Sequence, residues 1–469
     1  MTGLGEKMQH AGYRTHLVGK WDVGMATPLH TPLGKGYDSW LGYFQHANDY
    51  WQESMPLAST GNVDICLNKF RDFSIYNRTY RAGVTEAVAS EFGCNANVKH
   101  VQKTGIKPQV NATGCNKDDP DYCLPDGCFE EAMFNQYALK IIREHDRHQP
   151  LFLFYSFHLL HTPLQIPESY LYMDTMVGNL IAALKERQMY QDTLIVFTAD
   201  NGGPVYEPGS ANNWPLKGGK YSDWEGGVRT NAFVSGGFVP WARRGTKFSG
   251  VISIADWYAT LATIVGVPVH DEKAEEANKY LVQNGLPLLP PVDGRPQWEN
   301  IVWDINGRRD ALHLSQEALL WWPFKLVTGQ QPYSFHQGPV YPNCTTEEGL
   351  HADEGPIFSD MHVFGEPIYP SANATQQDQL TMASDCGYGG CLFNVERDPE
   401  ELEDLAADPV YSDLLFQMQK KLYYLNEGNF NPNRGEPAVG ACLQAADLGG
   451  FYGPFLEVDD FYKGVHLTE

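Results

Sequence analysis

A short apolar run that ends in Asp-Asn-Gly-Gly constrains the fold of this chain more than any other stretch. Leu-Ile-Val-Phe at 194–197 is apolar without alternation, which is typical of a fully buried strand. The run stops at Asp200 and Asn201, and the breaker pair Gly202-Gly203 follows. In open α/β sheets, ligand crevices form at the carboxyl edge of such strands. The position therefore favours a ligand site, and a simple turn over the same four residues is the alternative.

The two polar residues at the strand end suit a hard cation. A carboxylate from Asp200 and an amide oxygen from Asn201 are donors that Ca²⁺ and Mg²⁺ prefer. Cations and glycines follow directly in the segments NNWPLKGGK at 212–220 and WEGGVR at 224–229. Positive charge among glycines is what anion binding requires. The stretch thus predicts a metal site beside an anion site.

The stretch 193–229 resembles the sulfatase family, most closely its arylsulfatase B-like branch. That branch carries DNGG, NNWPL, a glycine-lysine segment and WEGGVR in the same order as this chain. The resemblance implies that Asp200 and Asn201 ligate a divalent cation, Ca²⁺ or Mg²⁺. It also implies that Lys220 contacts the sulfate group of the substrate.

Two further segments match the same family. A predicted helix at 4–11 and a predicted strand at 15–19 lead to Gly-Lys-Trp, and Asp22 stands where the family has a histidine. The resemblance implies that Lys20 neutralises sulfate oxygens. The carboxylate of Asp22 can act as a base in place of the histidine, but its charge repels a sulfate. A surface acid, or one beside the metal, is the alternative role for Asp22.

A second histidine candidate follows the apolar run at 151–157, which predicts a buried strand. His161 is followed by Thr-Pro-Leu-Gln, as is the active-site histidine of the family. The resemblance implies that His161 binds the sulfate or donates a proton to the leaving group. His158, three residues earlier, is expected to be a structural histidine.

The nucleophile of the family has no match in this chain. Sulfatases oxidise a cysteine or serine within C-x-P-x-R to formylglycine, and this motif does not occur among the 469 residues. The segment Cys123-Leu124-Pro125 lacks the arginine and is expected to hold a disulfide partner. In the family, the motif and two metal-binding aspartates precede the helix with which this chain begins. We therefore expect a catalytic domain that is truncated at its N-terminus.

Cysteines and glycosylation sequons indicate the compartment. Nine cysteines without C-x-x-C pairs favour disulfides over a zinc site. Four N-x-S/T sequons, at Asn77, Asn111, Asn343 and Asn373, indicate a glycoprotein of the secreted or the lysosomal or vacuolar class. Because nine is odd and the resemblance ties the last cysteine to the missing N-terminal region, Cys442 is predicted to be unpaired.

Charge and hydropathy limit the partners. A net charge of −24 and a pI near 5.0 argue against a nucleic-acid partner, which requires a basic face. No run is long and apolar enough to span a bilayer. The resemblance implies a sulfated small molecule or glycan as substrate. Two alternatives remain open: a non-catalytic sulfatase-like protein that binds sulfated glycans, and a phosphodiesterase of the wider superfamily.

Helical and strand patterns alternate through the first half of the chain, which is the signature of a mostly parallel sheet. The resemblance implies an alkaline-phosphatase-like α/β fold with a smaller C-terminal α+β domain, divided into 1–268 and 269–469. Strands ending at Gly19, near Phe157 and at Phe197 are predicted to be parallel members of one sheet. Five side chains should then converge on one cleft at its carboxyl edge: Lys20, His161, Asp200, Asn201 and Lys220.

Overall fold

The computed structural model describes residues 1–45, 50, 72–77, 81–83, 115–116, 119–123, 130–161, 169–205, 212–303, 309, 311–336, 384–427 and 439–456. The chain divides into two compact units. Unit 1 contains Met1–Asp192, Trp257–Pro296 and Asn433–Glu469, and unit 2 contains Thr193–Asp256 and Gln297–Pro432. The predicted domain boundary at 268 stays a prediction.

The described residues form helices and strands over the following ranges. The helices are α1 Leu4–His10, α2 Glu130–Glu144, α3 Ser169–Glu186, α4 Glu225–Val228, α5 Asp256–Ile264, α6 Glu272–Gln283, α7 Trp298–Trp303, α8 Ser412–Glu427 and α9 Val439–Asp447. The strands are β1 Arg14–Gly19, β2 Ser39–Gly42, β3 Ser74–Asn77, β4 Arg81–Gly83, β5 Cys115–Asn116, β6 Asp119–Cys123, β7 Leu151–Ser156, β8 Ile195–Thr198, β9 Ala232–Ser235, β10 Leu312–His313, β11 Ala318–Trp321, β12 Phe324–Val327, β13 Gln330–Gln331, β14 Ser384–Asp385 and β15 Cys391–Asn394.

Unit 1 is built on a five-stranded mixed sheet with the order β4-β3-β2-β1-β7. Strand β1 runs parallel to both β2 and β7, and β3 and β4 add antiparallel strands at one edge. The parallel pairing of β1 with β7 confirms two of the three strands predicted to share a sheet. Gly19 pairs with Ser156 at the carboxyl ends of these two strands. Lys20 and the loop after β7 therefore leave the sheet at the same edge.

Helix α2 covers one face of this sheet. Its apolar residues recur with the 3.6-residue period of a helix, and all six are buried: Met133, Phe134, Tyr137, Ala138, Ile141 and Ile142. Most of the stripe packs on Val18, Leu41 and Tyr43 of the sheet region. Burial of large apolar side chains stabilises this layer by about 1.5–3 kcal/mol for each one. The helix N-terminus, at Glu130, is thereby fixed beneath the carboxyl end of β7.

Unit 2 contains a four-stranded antiparallel sheet with the order β10-β11-β12-β15. Alternate side chains of its strands face opposite layers, as a period of two requires. Leu319, Leu326 and Leu392 pack on Met418 and Leu422 of α8. On the other face, Leu320, Val327 and Phe393 pack on Trp224. The sheet therefore lies between helix α8 and the WEGGVR segment.

Strand β8 differs from its prediction. It pairs antiparallel with β9, from Ile195 opposite Ser235 to Thr198 opposite Ala232, and not as a parallel member of the sheet of β1 and β7. Gly236 allows the pairing, because its φ is 92° and a Cβ would lie 2.0 Å from the carbonyl oxygen of Thr193. The four residues of β8 are half-buried, so the prediction of a fully buried strand is also wrong. An apolar run does not specify which strand lies next to it.

The cysteine predictions have two outcomes. Cys386 and Cys391 form a disulfide, as a chain without C-x-x-C pairs predicts. Cys442 is also disulfide-bonded, so the prediction that it is unpaired is wrong. An odd cysteine count leaves at least one cysteine without a partner among these 469 residues but does not say which one. Cys66, Cys94, Cys128 and Cys344 lie outside the described residues, as do the sequons at Asn111, Asn343 and Asn373.

Within the described ranges, no helix is both long and apolar enough to cross a bilayer.

Candidate functional site

The segments DNGG, LKGGK and WEGGVR pack against one another through their glycines, all within unit 2. A Cβ on Gly202 would lie 1.7 Å from the carbonyl oxygen of Gly226, and one on Gly219 would lie 2.4 Å from that of Gly203. A Cβ on Gly226 would lie 2.3 Å from the carbonyl oxygen of Gly218. Only glycine permits such close approach of one backbone to another. The glycine pairs of the sequence motif therefore hold three turns together.

Hydrogen bonds tie the same turns into one assembly. The Asn213 side chain donates from Nδ2 to the carbonyls of Gly203 (3.1 Å) and Gly218 (3.0 Å), and its Oδ1 accepts from Gly203 N–H at 3.0 Å. Lys220 N–H donates to Gly203 O at 3.0 Å. Gly202 N–H donates to the carbonyl of Gly227 at 2.8 Å. The backbone of Lys220 is thus bound to Gly203, which follows Asn201 by two residues in the sequence.

Asp200 and Asn201 fit the cation prediction in kind. The Asp200 side chain is exposed at the end of β8, and Asn201 is half-buried. Asn201 Nδ2 donates to Gly202 O at 2.8 Å, so the backbone occupies the amide nitrogen and the oxygen is left for other contacts. Across the described part of the chain, no cluster of three or more His, Cys, Asp or Glu could hold a metal. The pair therefore supplies two oxygen donors of the type that Ca²⁺ takes, fewer than a complete shell.

The two lysines of LKGGK have different environments. Lys217 lies with Nζ 3.7 Å from the centre of the buried Trp224 ring, and burial lowers the pKa of its ammonium group. The half-buried Lys217 side chain therefore packs on this ring as a cation–π contact. Lys220 has Nζ 5.5 Å from the Tyr221 ring, which is 69% exposed. Both lysines are half-buried, and they differ in the aromatic ring that each ammonium group faces.

A buried triad of charged side chains includes Glu225 of the WEGGVR turn. Lys325 Nζ lies 3.0 Å from Glu225 Oε1 and 2.9 Å from Glu401 Oε1, and Glu225 N–H donates to Glu401 Oε2 at 2.6 Å. Burial lowers the pKa of Lys325, but the two carboxylates outweigh it and the pKa is raised overall. Sequence reasoning missed this triad, since Lys325 lies in an apolar strand 100 residues from Glu225.

In unit 1, a glycine brings Lys20 out of strand β1. Gly19 has φ 93°, and a Cβ there would lie 1.9 Å from the carbonyl oxygen of Ser156. The next residue is Lys20, whose N–H donates to the same oxygen at 3.0 Å. Its Nζ lies 3.5 Å from Asp22 Oδ2, with 18% of the Lys20 side chain exposed. Asp22, at φ 48°, therefore partly neutralises the Lys20 cation.

The loop after β7 distinguishes its two histidines as predicted. His158 is 1% exposed, its Nδ1 is hydrogen-bonded to Glu130 Oε1, and its ring stacks on Tyr50 at 3.9 Å between centroids. This is the contact set of a structural histidine. His161 is partly exposed, and its N–H donates to His158 O at 2.8 Å. The ring centroids of the two histidines lie 5.8 Å apart.

Two acidic residues beneath this loop were not predicted. Glu130 and Glu131 open helix α2 and are both fully buried. Glu131 Oε1 accepts from the backbone N–H groups of His158 and Leu159, the latter at 2.8 Å. Burial raises the pKa of Glu131 to about 8. The available signal is a pair of carboxylates at the start of an otherwise apolar helix stripe.

The structure places the predicted residues in two groups. Lys20, Asp22 and His161 belong to unit 1, where two parallel strands deliver them to one sheet edge. Asp200, Asn201 and Lys220 belong to unit 2, where the glycine turns hold them together. Convergence of the two groups on one cleft stays a prediction.

Known proteins share both sequence and fold with this chain. The family model described as Sulfatase matches residues 1–267. Arylsulfatase J of Mus musculus is 22% identical over 450 residues, which cover 90% of this chain and 62% of that protein. N-acetylgalactosamine-6-sulfatase of Homo sapiens is 25% identical over 337 residues, covering 68% of this chain and 54% of the relative. This chain thus spans between half and two thirds of each relative's length.

Solved structures extend the likeness to the fold. The PsFucS1 sulfatase from Pseudoalteromonas sp. has a TM-score of 0.55 at 18% identity, covering 91% of this chain and 73% of that one. Ps i-CgsB in complex with k-i-k-neocarrahexaose has a TM-score of 0.53 at 19% identity, covering 95% and 78%. The predicted alkaline-phosphatase-like α/β fold is thereby confirmed, with a mixed sheet flanked by helices and additional antiparallel sheets.

Proposed function

Because this chain belongs to the sulfatase family, we propose that its site performs the metal-dependent hydrolysis of sulfate esters of the arylsulfatase type. One observation carries the proposal: the backbone N–H of Lys220 is hydrogen-bonded to Gly203 O, which holds this half-buried lysine close to the Asp200-Asn201 segment. A protein with 58 acidic and 34 basic residues that keeps a lysine at such a place favours an anionic ligand.

Each side chain has a role suited to its chemistry. Asp200 and Asn201 would hold the divalent cation, Ca²⁺ or Mg²⁺, which adds positive charge at the sulfate when bound. Lys20 and Lys220 neutralise sulfate oxygens. Their positive charge also stabilises the negative charge that develops as the sulfur–oxygen bond breaks. His161 donates a proton to the leaving oxygen. Asp22 is positioned to take up a proton, at the cost of weakening the positive field of Lys20.

The substrate class and the compartment follow from the family. We infer a sulfated small molecule or glycan as the partner, and a domain over 1–268 that carries the chemistry. The disulfide Cys386–Cys391 supports a secreted or a lysosomal or vacuolar location. The remaining residues, 269–469, form the C-terminal sulfatase domain in this proposal.

Formylglycine is the family's attacking group, and C-x-P-x-R is not among these 469 residues. We expect a protein confined to them to have negligible turnover. The same observation favours a second function, a non-catalytic protein that binds sulfated glycans through the same residues. A full-length transcript decides between the two: C-x-P-S-R encoded upstream of Met1 supports the enzyme, and its absence there supports the binding protein.

Calorimetric titration of the 469-residue chain with inorganic sulfate, with and without Ca²⁺, tests the site. Lys220→Ala should weaken sulfate binding about tenfold or more, since a charge-assisted hydrogen bond contributes about 1.5–3 kcal/mol. Asp200→Ala should abolish the dependence on Ca²⁺. Lys217→Met is the matched control, because its ammonium packs on Trp224, and binding should stay within about twofold of the wild type.

Equal sulfate affinity in the wild type and Lys220→Ala would overturn the proposed site. Hydrolysis of an aryl sulfate well above that of Lys220→Ala would contradict the expected inactivity of these 469 residues. Hydrolysis of an aryl phosphodiester without any binding of sulfate would favour the phosphodiesterase alternative.

A further inference from the structure

We propose that Glu131 and Tyr50 are positioning residues that hold the backbone of the loop 158–161 and thereby orient His161. The inference rests on the proposed function, in which His161 acts on the sulfate ester. Neither residue belongs to a segment that the sequence analysis connected with the site. Both lie in unit 1 with the loop, and the contacts that follow are all internal to that unit.

Glu131 holds the start of the loop through hydrogen bonds. One carboxylate oxygen, Oε1, accepts from two consecutive backbone amides, those of His158 and Leu159. The other oxygen, Oε2, accepts from the hydroxyl of Tyr155 at 3.3 Å. Two adjacent N–H groups that point at one oxygen fix the direction in which the chain leaves β7. The orientation of the rest of the loop follows from this direction.

Tyr50 forms hydrogen bonds to the backbone at both ends of the loop 158–161. Its hydroxyl lies 3.0 Å from the carbonyl oxygen of His158 and 2.9 Å from that of His161, so its one proton is shared between the two. Its ring is 1% exposed and stacks on the His158 ring. The backbone of Tyr50 is held in turn, because Glu130 N–H donates to its carbonyl at 3.0 Å.

His161 itself is bound at both backbone groups by this network. Its N–H donates to His158 O, and its carbonyl accepts from Tyr50. The backbone therefore has little freedom to rotate, and the residue is partly exposed. A catalytic side chain needs such support, since small displacements reduce the rate of reaction strongly.

The network is costly to the fold, which favours a role beyond packing. Two adjacent fully buried carboxylates, Glu130 and Glu131, repel each other and lose their hydration. Burial raises the pKa of Glu131 even though it accepts two backbone hydrogen bonds. Apolar residues here would complete the stripe of α2 at lower cost. The acidic pair is explained by the polar loop that it holds.

The test combines a ring titration with ligand binding. In protein carrying ¹³C-labelled histidine, the Cε1–H resonance of His161, assigned with His161→Gln, is followed against pH by NMR. Glu131→Ala and Tyr50→Phe should each shift this titration curve and weaken the binding of inorganic sulfate about tenfold. Glu131→Gln keeps an acceptor oxygen and should restore most of both. Glu144→Gln, at the exposed far end of α2, is the matched control and should change neither.

A purely structural role predicts a different pattern. In that case, Glu131→Ala lowers the melting temperature, but the folded protein keeps the wild-type His161 curve and sulfate affinity, and the proposal is overturned. Tyr50→Phe removes one hydroxyl group and decides the question if Glu131→Ala does not fold. If the wild type binds no sulfate at all, the proposed function fails, and the His161 titration still tests the positioning role separately.

Discussion

Lys325→Met should lower the free energy of unfolding by about 3–5 kcal/mol, the usual cost of removing one partner from a buried ion pair. Lys325 is fully buried, and its ammonium group contacts Glu225 at 3.0 Å and Glu401 at 2.9 Å. Methionine fills a similar volume, so the loss is mainly electrostatic. Two carboxylates would then remain in the core, with Arg229 reaching Glu225 only at 3.5 Å.

The pH dependence distinguishes this cause from a packing defect. Burial already raises the pKa of Glu401 in the wild type, and removal of the lysine raises it further. A raised carboxyl pKa gives stability that is present at low pH and is lost as the pH rises. The destabilisation should therefore be smaller at pH 5 than at pH 8. The double variant Lys325→Met/Glu401→Gln should recover part of the loss at pH 8.

The assay is unfolding in guanidinium chloride followed by tryptophan fluorescence, because Trp224 lies in the core beside the triad. Lys420→Met, on the exposed face of α8 in the same unit, is the matched control and should cost no more than about 0.5 kcal/mol. A loss for Lys325→Met below about 1 kcal/mol, equal at both pH values, would show that the triad does not hold the unit together.

Three further changes test separate parts of the structure. Burial raises the pKa of Glu131 from 4.5 to about 8, so the contribution of this carboxyl group to stability is lost as the pH rises between these values. Glu131→Gln should therefore flatten the decline in unfolding free energy from pH 5 to pH 8. An unchanged slope would contradict this. Gly202→Ala places a methyl group 1.7 Å from Gly226 O and should cost about 2–3 kcal/mol in chemical denaturation, whereas Gly178→Ala, with nothing within 4 Å on helix α3, should stabilise by about 0.5–1 kcal/mol; similar effects at both sites would refute the packing argument. Asp256→Asn removes the charge that the buried Arg309 meets at 2.5 and 3.0 Å, and a loss of about 3–5 kcal/mol is expected in the same assay; a loss below about 1 kcal/mol would contradict it.

Local patterns predicted those features of the molecule that depend on neighbouring residues. The strand at 15–19 was predicted from its own residues, and Lys20 leaves β1 directly after Gly19, as the Gly-Lys-Trp segment indicated. The buried position of His158 agrees with the structural role expected for it, and the role of His161 stays a prediction.

Features that depend on distant residues were not predictable in this way. The pairing of β8 with β9 depends on which strand lies beside it, and an apolar run carries no such information. Glu131 contacts a loop 27 residues later, and Lys325 contacts Glu225 100 residues earlier. Each contact joins a charged side chain to a partner that only the folded chain brings near. Periodicity describes one helix or strand at a time and therefore does not predict either of these two contacts.

The glycine contacts among the three turns bear on how such a motif is used to infer activity. Gly202, Gly219 and Gly226 have no side-chain chemistry, yet each stands where any other residue would collide with a neighbouring backbone. Natural selection for stability alone would retain them in a descendant that had lost its activity. Much of the diagnostic signature thus marks a folded scaffold, and catalysis must be judged at positions whose substitution leaves that scaffold intact, namely Asp200, Asn201 and Lys220.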